Sequence, residues 1–238
     1  MQLMVIGASR GLGRAFVEGL ANPGDFVTGV SRSGPADLDM PQGVGVRWIS
    51  TDLSDPQSAA DTLEREAPEV IDALIFNVGI WEPEAFGEDY SFLHQSDTTS
   101  LELIEVNVSS TILILKRLLP RLLASAKPRL ILTGSTSALP GNGRPEVAFG
   151  ASKTALTGIA SALREGFRSQ RLGVTLLQLG YLNTDDSLSV PVDEAAARGD
   201  GEFVPVHDVV AMVKAMLSLS PSSFVRELVL PAVKDSRF

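Results

Sequence analysis

Cysteine is absent from this chain of 238 residues, and histidine and tyrosine occur only twice each. Without cysteine the chain can form neither a disulfide nor a thiolate nucleophile. The histidines, His94 and His207, lie in separate stretches and do not support a Ser-His-Asp triad. We expect no bound metal. The tyrosines are Tyr90 and Tyr181, so any chemistry that needs a phenol is restricted to these two positions.

An excess of positive charge and a long uncharged apolar run are also missing. The formal net charge of −9 argues against nucleic acid or an anionic membrane as the main partner. The most apolar helical stretch, STILILKRLLPRLL, is interrupted by Lys116, Arg117 and Arg121, so we expect a buried helix rather than a membrane span. The start MQLMVIGAS has no basic flank and too short an apolar run for a signal peptide. We therefore expect a soluble cytoplasmic protein.

Short apolar runs alternate with longer amphipathic segments along the whole chain. The length and the 44% hydrophobic content fit one globular domain over residues 1–238. Apolar runs rich in Val, Ile and Leu predict seven strands, at residues 3–6, 26–30, 46–50, 73–76, 130–133, 174–179 and 227–230. Helices are predicted between them, one of which has Asp55 as its N-cap and Pro56 at its first position. The alternation predicts an α/β fold, a doubly wound, Rossmann-like parallel sheet with helices on both faces.

Two stretches lack regular periodicity, at residues 81–100 and 183–203. The second contains VDEAAARGDGE. Long irregular stretches inside a compact domain are usually lids or binding loops. We expect a function for both.

The segment VIGASRGLGRAF follows the first strand and opens the first helix. Its glycines, Gly7, Gly11 and Gly13, permit a tight turn, close backbone approach to a pyrophosphate and close packing of helix on strand. The helix N-terminus supplies free N–H groups and a positive dipole end. The pattern predicts dinucleotide binding, and the alternative is a tight strand–helix turn with no ligand.

The end of the second strand indicates which dinucleotide is bound. Ser31 stands where a protein selecting NAD usually has an acid, and Arg32 follows it. Arg10 lies inside the glycine turn. Two guanidinium groups suit a 2′-phosphate, so we expect NADP(H). The alternative for Arg32 is an ordinary exposed loop arginine.

Six further motifs follow in order: TDLSD, FNVGI, IEVNVSST, ILTGSTSA, FGASK and LGYLNT. Together with the glycine turn they resemble the short-chain dehydrogenase/reductase family, over residues 1 to about 230. The chain departs from the family where Leu179 replaces a proline and where Val78 stands in the motif after the fourth strand. The resemblance implies these cofactor-binding residues: Gly7, Ser9, Arg10, Gly11, Leu12, Gly13, Ser31, Arg32, Asp52, Leu53, Asn77, Gly79, Lys153, Gly180, Leu182 and Thr184.

The resemblance also implies four catalytic positions. In the family a tyrosine protonates the substrate carbonyl oxygen, a lysine one helical turn on holds the ribose and lowers the tyrosine pKa, a serine orients the carbonyl and an asparagine holds a water. Three positions map to Asn107, Ser135 and Lys153. The tyrosine position is occupied by Phe149, which has no proton to give.

The position of the active-site hydroxyl has alternatives. Alignment on the strand end points to Ser135, whereas family spacing counted back from Phe149 lands on Thr136. Ser137 is the third choice. All three carry a hydroxyl group, so the role is present under each alignment.

Phe149 allows three interpretations. The natural protein has tyrosine here and this chain carries a Tyr→Phe substitution, or phenylalanine is natural and the enzyme is slow, or the protein binds a dinucleotide without redox chemistry. Tyr181 is a candidate substitute acid, although packing against the pocket is the simpler interpretation.

The resemblance places the substrate pocket beyond the nicotinamide, with walls from residues 80–86 and 139–147 and a flap at about 183–203. Apolar Trp81, Phe86, Leu139 and Leu182 would suit an aliphatic or aromatic ketone, or the corresponding alcohol. The family pairs the helices that hold the asparagine and the lysine across a two-fold axis. We therefore expect a homodimer or homotetramer.

Overall fold

Seven parallel strands form the central sheet of the computed structural model, which describes residues 1–142 and 144–235. Their order across the sheet is β3-β2-β1-β4-β5-β6-β9. A separate parallel pair, β7 with β8, joins two loop segments. The strands are β1 (Gln2–Ile6), β2 (Phe26–Ser31), β3 (Gly45–Ser50), β4 (Ala73–Phe76), β5 (Arg129–Thr133), β6 (Gly173–Leu179), β7 (Leu182–Asn183), β8 (Val204–Pro205) and β9 (Glu227–Leu230). All seven predicted strands are confirmed, each within one residue of its predicted ends.

Helices connect the strands of the sheet. They are α1 (Gly11–Gly19), α2 (Pro56–Glu66), α3 (Asp97–Ile104), α4 (Ser110–Leu123), α5 (Val147–Gly166), α6 (Val192–Gly199) and α7 (Val206–Ser218). A π-helical turn, Glu105–Ser109, joins α3 to α4 into one continuous helix. The start of α2 is as predicted, because the Asp55 carboxylate accepts a hydrogen bond from Ser58 N at 3.0 Å and Pro56 is the first helical residue.

The prediction of irregular chain was wrong in two places. Asp97 begins α3 inside the stretch 81–100, and α6 lies inside the stretch 183–203. Few residues of either helix are buried: Leu103 in α3, and Ala195 and Gly199 in α6. An apolar periodicity this weak cannot be recognised in the sequence.

Two apolar cores lie on opposite faces of the sheet, as predicted for a doubly wound fold. Helices α1 and α7 cover one face, where Phe16 and Val209 are fully buried. Helices α2, α4 and α5 cover the other face, where Leu63 and Leu118 are fully buried. The strand order reverses between β1 and β4. The carboxyl ends of these two strands therefore flank the crevice in which α/β sheets bind their ligands.

The continuous helix from Asp97 to Leu123 is long and apolar enough to cross a membrane by length and composition alone. However, Ile114, Leu118 and Leu122 on it are fully buried in the core beneath α2 and α5. This is the packing of a core helix.

Candidate active site

The glycine turn fits closely between the end of β4 and the start of α1. Gly7 has a φ of +79°, and a Cβ there would lie 2.0 Å from Asn77 O. A Cβ on Gly13 would lie 1.9 Å from Gly7 O. The Asn77 amide donates to Gly7 O at 3.3 Å and holds the turn from the other side. Only glycine can occupy these two positions, so the turn brings bare backbone to the crevice.

The start of α1 is arranged to receive an anion. Arg10 occupies the N-cap position and makes no capping hydrogen bond with its side chain among the described residues, which leaves the first amide groups of the helix available. Ser9 is half-buried and Leu12 is buried. Gly11 has a φ of +52°, and a Cβ there would lie 3.2 Å from Thr184 Cβ. Thr184 therefore lies directly against the turn.

The loop after β2 presents the arginine proposed for the 2′-phosphate. Arg32 and Arg10 are both exposed, and neither guanidinium donates a hydrogen bond within the described part of the chain. The Ser31 hydroxyl is engaged locally, because it donates to Ser33 O at 2.7 Å and accepts from the Trp48 indole at 3.0 Å. Ser50 Oγ holds the Arg32 carbonyl at 2.7 Å. The loop backbone is fixed while the cationic side chains face solvent.

The residues that we expected at the adenine and at the nicotinamide follow β3 and β6, two strands that β2, β1, β4 and β5 separate in the sheet. Asp52 is exposed, and its carboxylate accepts from Ser54 N at 3.0 Å, while Leu53 packs against the core. Gly180 follows β6 and donates its N–H to Leu230 O at 3.0 Å. A Cβ on Gly180 would lie 3.0 Å from Pro231 Cα. Leu182 lies in β7, half-buried beside the core.

Lys153 is a buried lysine at the carboxyl ends of β4 and β5. Its Nζ donates to Val78 O at 3.0 Å and to Thr133 O at 3.1 Å. A Cβ on Gly79 would lie 2.8 Å from that Nζ, so a glycine here leaves room for the ammonium group. Burial disfavours the charged form and lowers the pKa of Lys153 to about 8. A lysine of this kind can exchange protons near neutral pH.

Asn107 lies in the π-helical turn, where its side chain points into the fold. Its Oδ1 accepts from Ile80 N at 2.9 Å, and its Nδ2 donates to Ile80 O at 2.8 Å and to Ser152 Oγ at 3.0 Å. Ser152 Oγ donates in turn to Phe149 O at 2.8 Å. The asparagine thereby connects the loop after β4 to the first turn of α5.

The three candidate hydroxyl groups differ in exposure. Thr136 and Ser137 are buried, whereas Ser135 is half-buried. Ser135 Oγ accepts from Ser137 N at 3.1 Å, and Gln178 Oε1 accepts from Ser135 N at 3.0 Å. The Thr136 hydroxyl accepts from Arg144 at 3.4 Å. Within the described residues the Ser135 hydroxyl donates to no acceptor, so its proton is free to bind a ligand.

Phe149 lies in a small apolar cluster near Lys153. The ring is buried, with 5% of the residue exposed, and packs with Leu103, Ile80 and Phe86. Phe86 meets it edge-on at 5.2 Å between ring centroids. Lys153 Nζ lies 5.7 Å from the centroid of the Phe149 ring. The aromatic ring is beside the lysine, as the resemblance implies for the tyrosine, but without the hydroxyl group.

Residues 2–194 match the family model described as short chain dehydrogenase. The chain belongs to the short-chain dehydrogenase family. It is 28% identical over 197 residues to the 3-oxoacyl-[acyl-carrier-protein] reductase FabG of Escherichia coli (strain K12), which covers 81% of this chain and 78% of that protein. Membership in this family, with reductases among the relatives, identifies an oxidoreductase of the NAD(P)-dependent kind.

Two solved structures share the fold of this short-chain dehydrogenase. An alcohol dehydrogenase from the archaeon Thermococcus sibiricus, complexed with 5-hydroxy-NADP, has a TM-score of 0.78 and 21% identity, over 98% of this chain and 96% of that chain. A 3-oxoacyl-[acyl-carrier protein] reductase from Brucella melitensis, in complex with NAD, has a TM-score of 0.78 and 20% identity, over 96% and 94%. The neighbours therefore include complexes with both nucleotides.

Side chains from all three predicted wall segments of this dehydrogenase, Phe86, Arg144 and Phe203, meet around Tyr181. Phe86 lies 5.8 Å from Tyr181, which lies 6.4 Å from Phe203 in the predicted flap. The Arg144 guanidinium stacks over the Tyr181 ring at 4.5 Å and pairs with Asp235 at 2.8 Å. Tyr181 is therefore packed on two sides.

Sequence reasoning missed two buried acids that hold the start of α5. The Glu82 carboxylate accepts from Ala148 N at 2.9 Å and from Phe149 N at 3.1 Å. Glu146 Oε1 accepts from Phe86 N at 2.9 Å. Tyr90 OH accepts from Val147 N at 3.1 Å. Glu82 lies 66 positions before Ala148, so no local sequence pattern indicates that it accepts hydrogen bonds from the start of α5.

The two histidines lie outside this site. His207 Nε2 is 2.8 Å from Val190 O, a structural contact at the start of α7. His94 is exposed in a short 3-10 turn, Phe92–His94. Within the described residues, no group of three or more acidic or histidine side chains is placed to hold a metal ion.

Proposed function

We propose that this chain is an NADP(H)-dependent oxidoreductase that reduces a ketone, or oxidises a secondary alcohol, with proton transfer impaired by Phe149. The observation that carries the proposal is the position of Lys153. Its Nζ reaches the ends of β4 and β5 through Val78 O and Thr133 O, at the crevice opened by the glycine turn.

The proposed cofactor residues form one continuous edge of the sheet. Gly7 and Gly13 supply backbone that a side chain would block, and the start of α1 receives the pyrophosphate. Arg10 and Arg32 would grip the 2′-phosphate of NADP(H), since both are exposed and uncommitted. Lys153 would hold the nicotinamide ribose, and Thr184 the nicotinamide amide. The bound nucleotide supplies the hydride.

The remaining residues would position the substrate carbonyl. Ser135 would donate its free hydroxyl proton to the carbonyl oxygen, while Asn107 fixes the loop after β4 and Lys153 carries a proton. Phe149 cannot donate one. Loss of a general acid typically costs about 10²–10⁴-fold in rate, so slow turnover through Ser135 and water is expected.

The pocket favours a carbonyl compound with an apolar body. Phe86, Tyr181 and Phe203 form a series of ring contacts that begins at Phe149, and residues 183–203 would close over the substrate as a flap. The Escherichia coli relative is a reductase of 3-oxoacyl groups, which carry such a ketone. Flexible lid segments commonly sequester reductase substrates from water.

A dinucleotide-binding protein without redox chemistry is the second candidate. The observation that favours it is the packing of Phe149, whose ring is buried edge-on against Phe86. A natural phenylalanine would fit such a protein.

Self-association would cover an apolar groove of about 460 Å³ between α4 and α5. Ile112 is half exposed there, whereas Ile114 and Leu115 are buried within the chain. The groove is lined by these apolar residues: Ile112, Leu115, Leu119, Leu123, Ile159, Leu163 and Phe167. We propose a cytoplasmic homodimer or homotetramer that pairs through this surface.

Nucleotide preference tests the cofactor assignment. The affinities for NADPH and NADH would be compared by nucleotide fluorescence in the parent and in Arg32→Asp. Because the new carboxylate would repel a 2′-phosphate and accept a ribose hydroxyl, the preference for NADPH should fall by about tenfold or more. Arg65→Asp on exposed α2 is the charge-matched control. An unchanged NADPH/NADH ratio in Arg32→Asp would show that the ribose pocket is misassigned.

A further inference from the structure

Five arginines line one cavity at the opposite edge of the sheet from the glycine turn. The cavity measures about 720 Å³, and its arginines are Arg129, Arg164, Arg168, Arg171 and Arg226. Arg129 begins β5, and the segments before β6 and β9 complete the wall. Since the strands are parallel, their amino ends share this edge. The length of β6 separates it from the active site by roughly 20 Å.

Positive charge in this cavity exceeds negative charge. The only acid among the lining residues is Glu165, which pairs with Arg168. The lining therefore carries five positive charges and one negative charge, a surplus of four, in a chain whose net charge is −9. Glu227 lies near enough to oppose part of this positive charge, and its carboxylate also accepts from Gln178 at 3.0 Å. Like charges held this close favour an external anion.

Two of the guanidinium groups are fixed in place by carbonyl oxygens. Arg129 is 6% exposed and donates to Pro128 O, Ser220 O and Ser223 O. Its Nε is buried and has no partner among the described residues. A buried cation whose partners are neutral is costly unless a counter-charge is present.

Arg164 is held in a similar way. Its Nε donates to Val174 O at 2.9 Å, and its Nη2 donates to Arg226 O at 2.7 Å. Burial and the neighbouring charge of Arg226 both lower the pKa of Arg164, with burial the larger cause, while Glu227 opposes them. Both arginines are thus held in fixed positions, and neither forms an ion pair within the described residues.

From this arrangement we infer that the cavity binds a small molecule carrying two or more phosphate groups, at a site separate from the active site. Guanidinium groups bind phosphate oxygens in pairs, and the hydroxyls of Ser161, Ser222 and Ser223 line the same cavity. The volume falls in the range of small-molecule pockets, about 300–1,000 Å³. A concave site of this size suits a compact polyanion better than the flat surface of a protein. The inference is independent of the redox chemistry.

Calorimetric titration of the full chain with inorganic tripolyphosphate tests the inference. The variant is Arg171→Gln combined with Arg226→Gln, because both side chains are exposed and only the backbone of Arg226 supports Arg164. Loss of two charged hydrogen-bond donors should weaken binding by about tenfold or more. Arg65→Gln removes an exposed arginine elsewhere and should change the affinity by less than about twofold.

Two further measurements separate this cavity from other sites. Arg32→Gln should leave tripolyphosphate binding unchanged, since it alters only the proposed nucleotide pocket. Loss of binding in Arg32→Gln, or equal affinities of the parent and the Arg171/Arg226 pair, would overturn the inference. A poly-aspartate peptide that binds through Arg171 and Arg226 more tightly than tripolyphosphate would also overturn it, in favour of an acidic protein. The thermal unfolding temperature of each variant establishes that the fold is retained.

Discussion

Introducing a phenol at position 149 should accelerate carbonyl reduction by about 10²–10⁴-fold, the usual contribution of a positioned general acid. The Phe149 ring is already buried beside Lys153, whose Nζ lies 5.7 Å from the ring centroid. Phe149→Tyr adds one oxygen to a side chain that is otherwise in place. The change tests whether the site lacks a single functional group.

The charge of Lys153 would also tune the new tyrosine. Lys153 Nζ lies 5.7 Å from the ring centroid, and at such a separation and an effective dielectric constant of about 20 a positive charge stabilises a negative one by about 3 kcal/mol. The lysine would therefore lower the pKa of the new tyrosine, against burial, which raises the pKa of a phenol. Because burial lowers the pKa of Lys153 itself to about 8, the two groups would titrate together. The rate gain should therefore depend on pH around this value.

The assay is NADPH oxidation followed by absorbance over a panel of ketones that includes a 3-oxoacyl thioester. Phe92→Tyr, on an exposed ring, controls for the addition of a phenol elsewhere. Lys153→Met in the Phe149→Tyr background should remove most of the gain. If Phe149→Tyr folds and binds NADPH but is no faster than the parent on any substrate, the phenylalanine is not at the acid position, and the second candidate function is favoured.

Three further predictions concern the framework of the site. Gly13→Ala should destabilise the fold by about 1–3 kcal/mol, because the new Cβ would lie 1.9 Å from Gly7 O. The control is Gly158→Ala on α5, whose Cβ meets nothing within 4 Å and which should stabilise the fold by up to about 1 kcal/mol. Denaturant unfolding measures both changes, and equal effects would contradict the geometry. Glu82→Ala removes the carboxylate that accepts from the backbone N–H groups of Ala148 and Phe149, and it should lower the free energy of unfolding by about 1–2 kcal/mol. The control Glu88→Ala, at an exposed position, should leave the free energy of unfolding unchanged. Between about pH 8 and 10.5 Lys153 is protonated in the unfolded chain but not in the native protein. The free energy of unfolding of the parent, relative to that of Lys153→Met, should therefore rise by about 3 kcal/mol over this range. If the difference between the two free energies does not change with pH, Lys153 stays charged when buried.

The elements that the sequence predicted well are those with a strong local pattern. Each strand of the sheet is a short apolar run buried on both faces, and Asp55 with Pro56 marks a helix start within three residues. The glycine turn was also predictable from local sequence. Its positions have a positive φ or a close backbone contact that only glycine accommodates, so the glycines themselves mark the turn. Helices α3 and α6 bury too little apolar surface to leave such a pattern.

Motif spacing identified Lys153 and Asn107, but not the way in which they are held. The hydrogen bonds of Lys153 to Val78 O and Thr133 O join positions 75 and 20 residues away. The capping of α5 by Glu82 joins a loop to a helix 66 positions later. Sequence periodicity cannot predict such pairs, because it reflects only residues that are close together along the chain.

By itself the sequence determined the α/β class, the strand positions, the dinucleotide-binding turn and the absence of a phenol at position 149, since all of these depend on residue types and local spacing. Only the tertiary structure decided which distant side chains meet. Parallel strands gather their carboxyl ends at one edge, where Phe86, Phe149 and Tyr181 pack together, and their amino ends at the other, where five arginines surround a cavity. The burial and charge of side chains at these edges depend on the order of the strands in the sheet. That order is set by contacts between residues far apart in sequence, which local sequence patterns do not reveal.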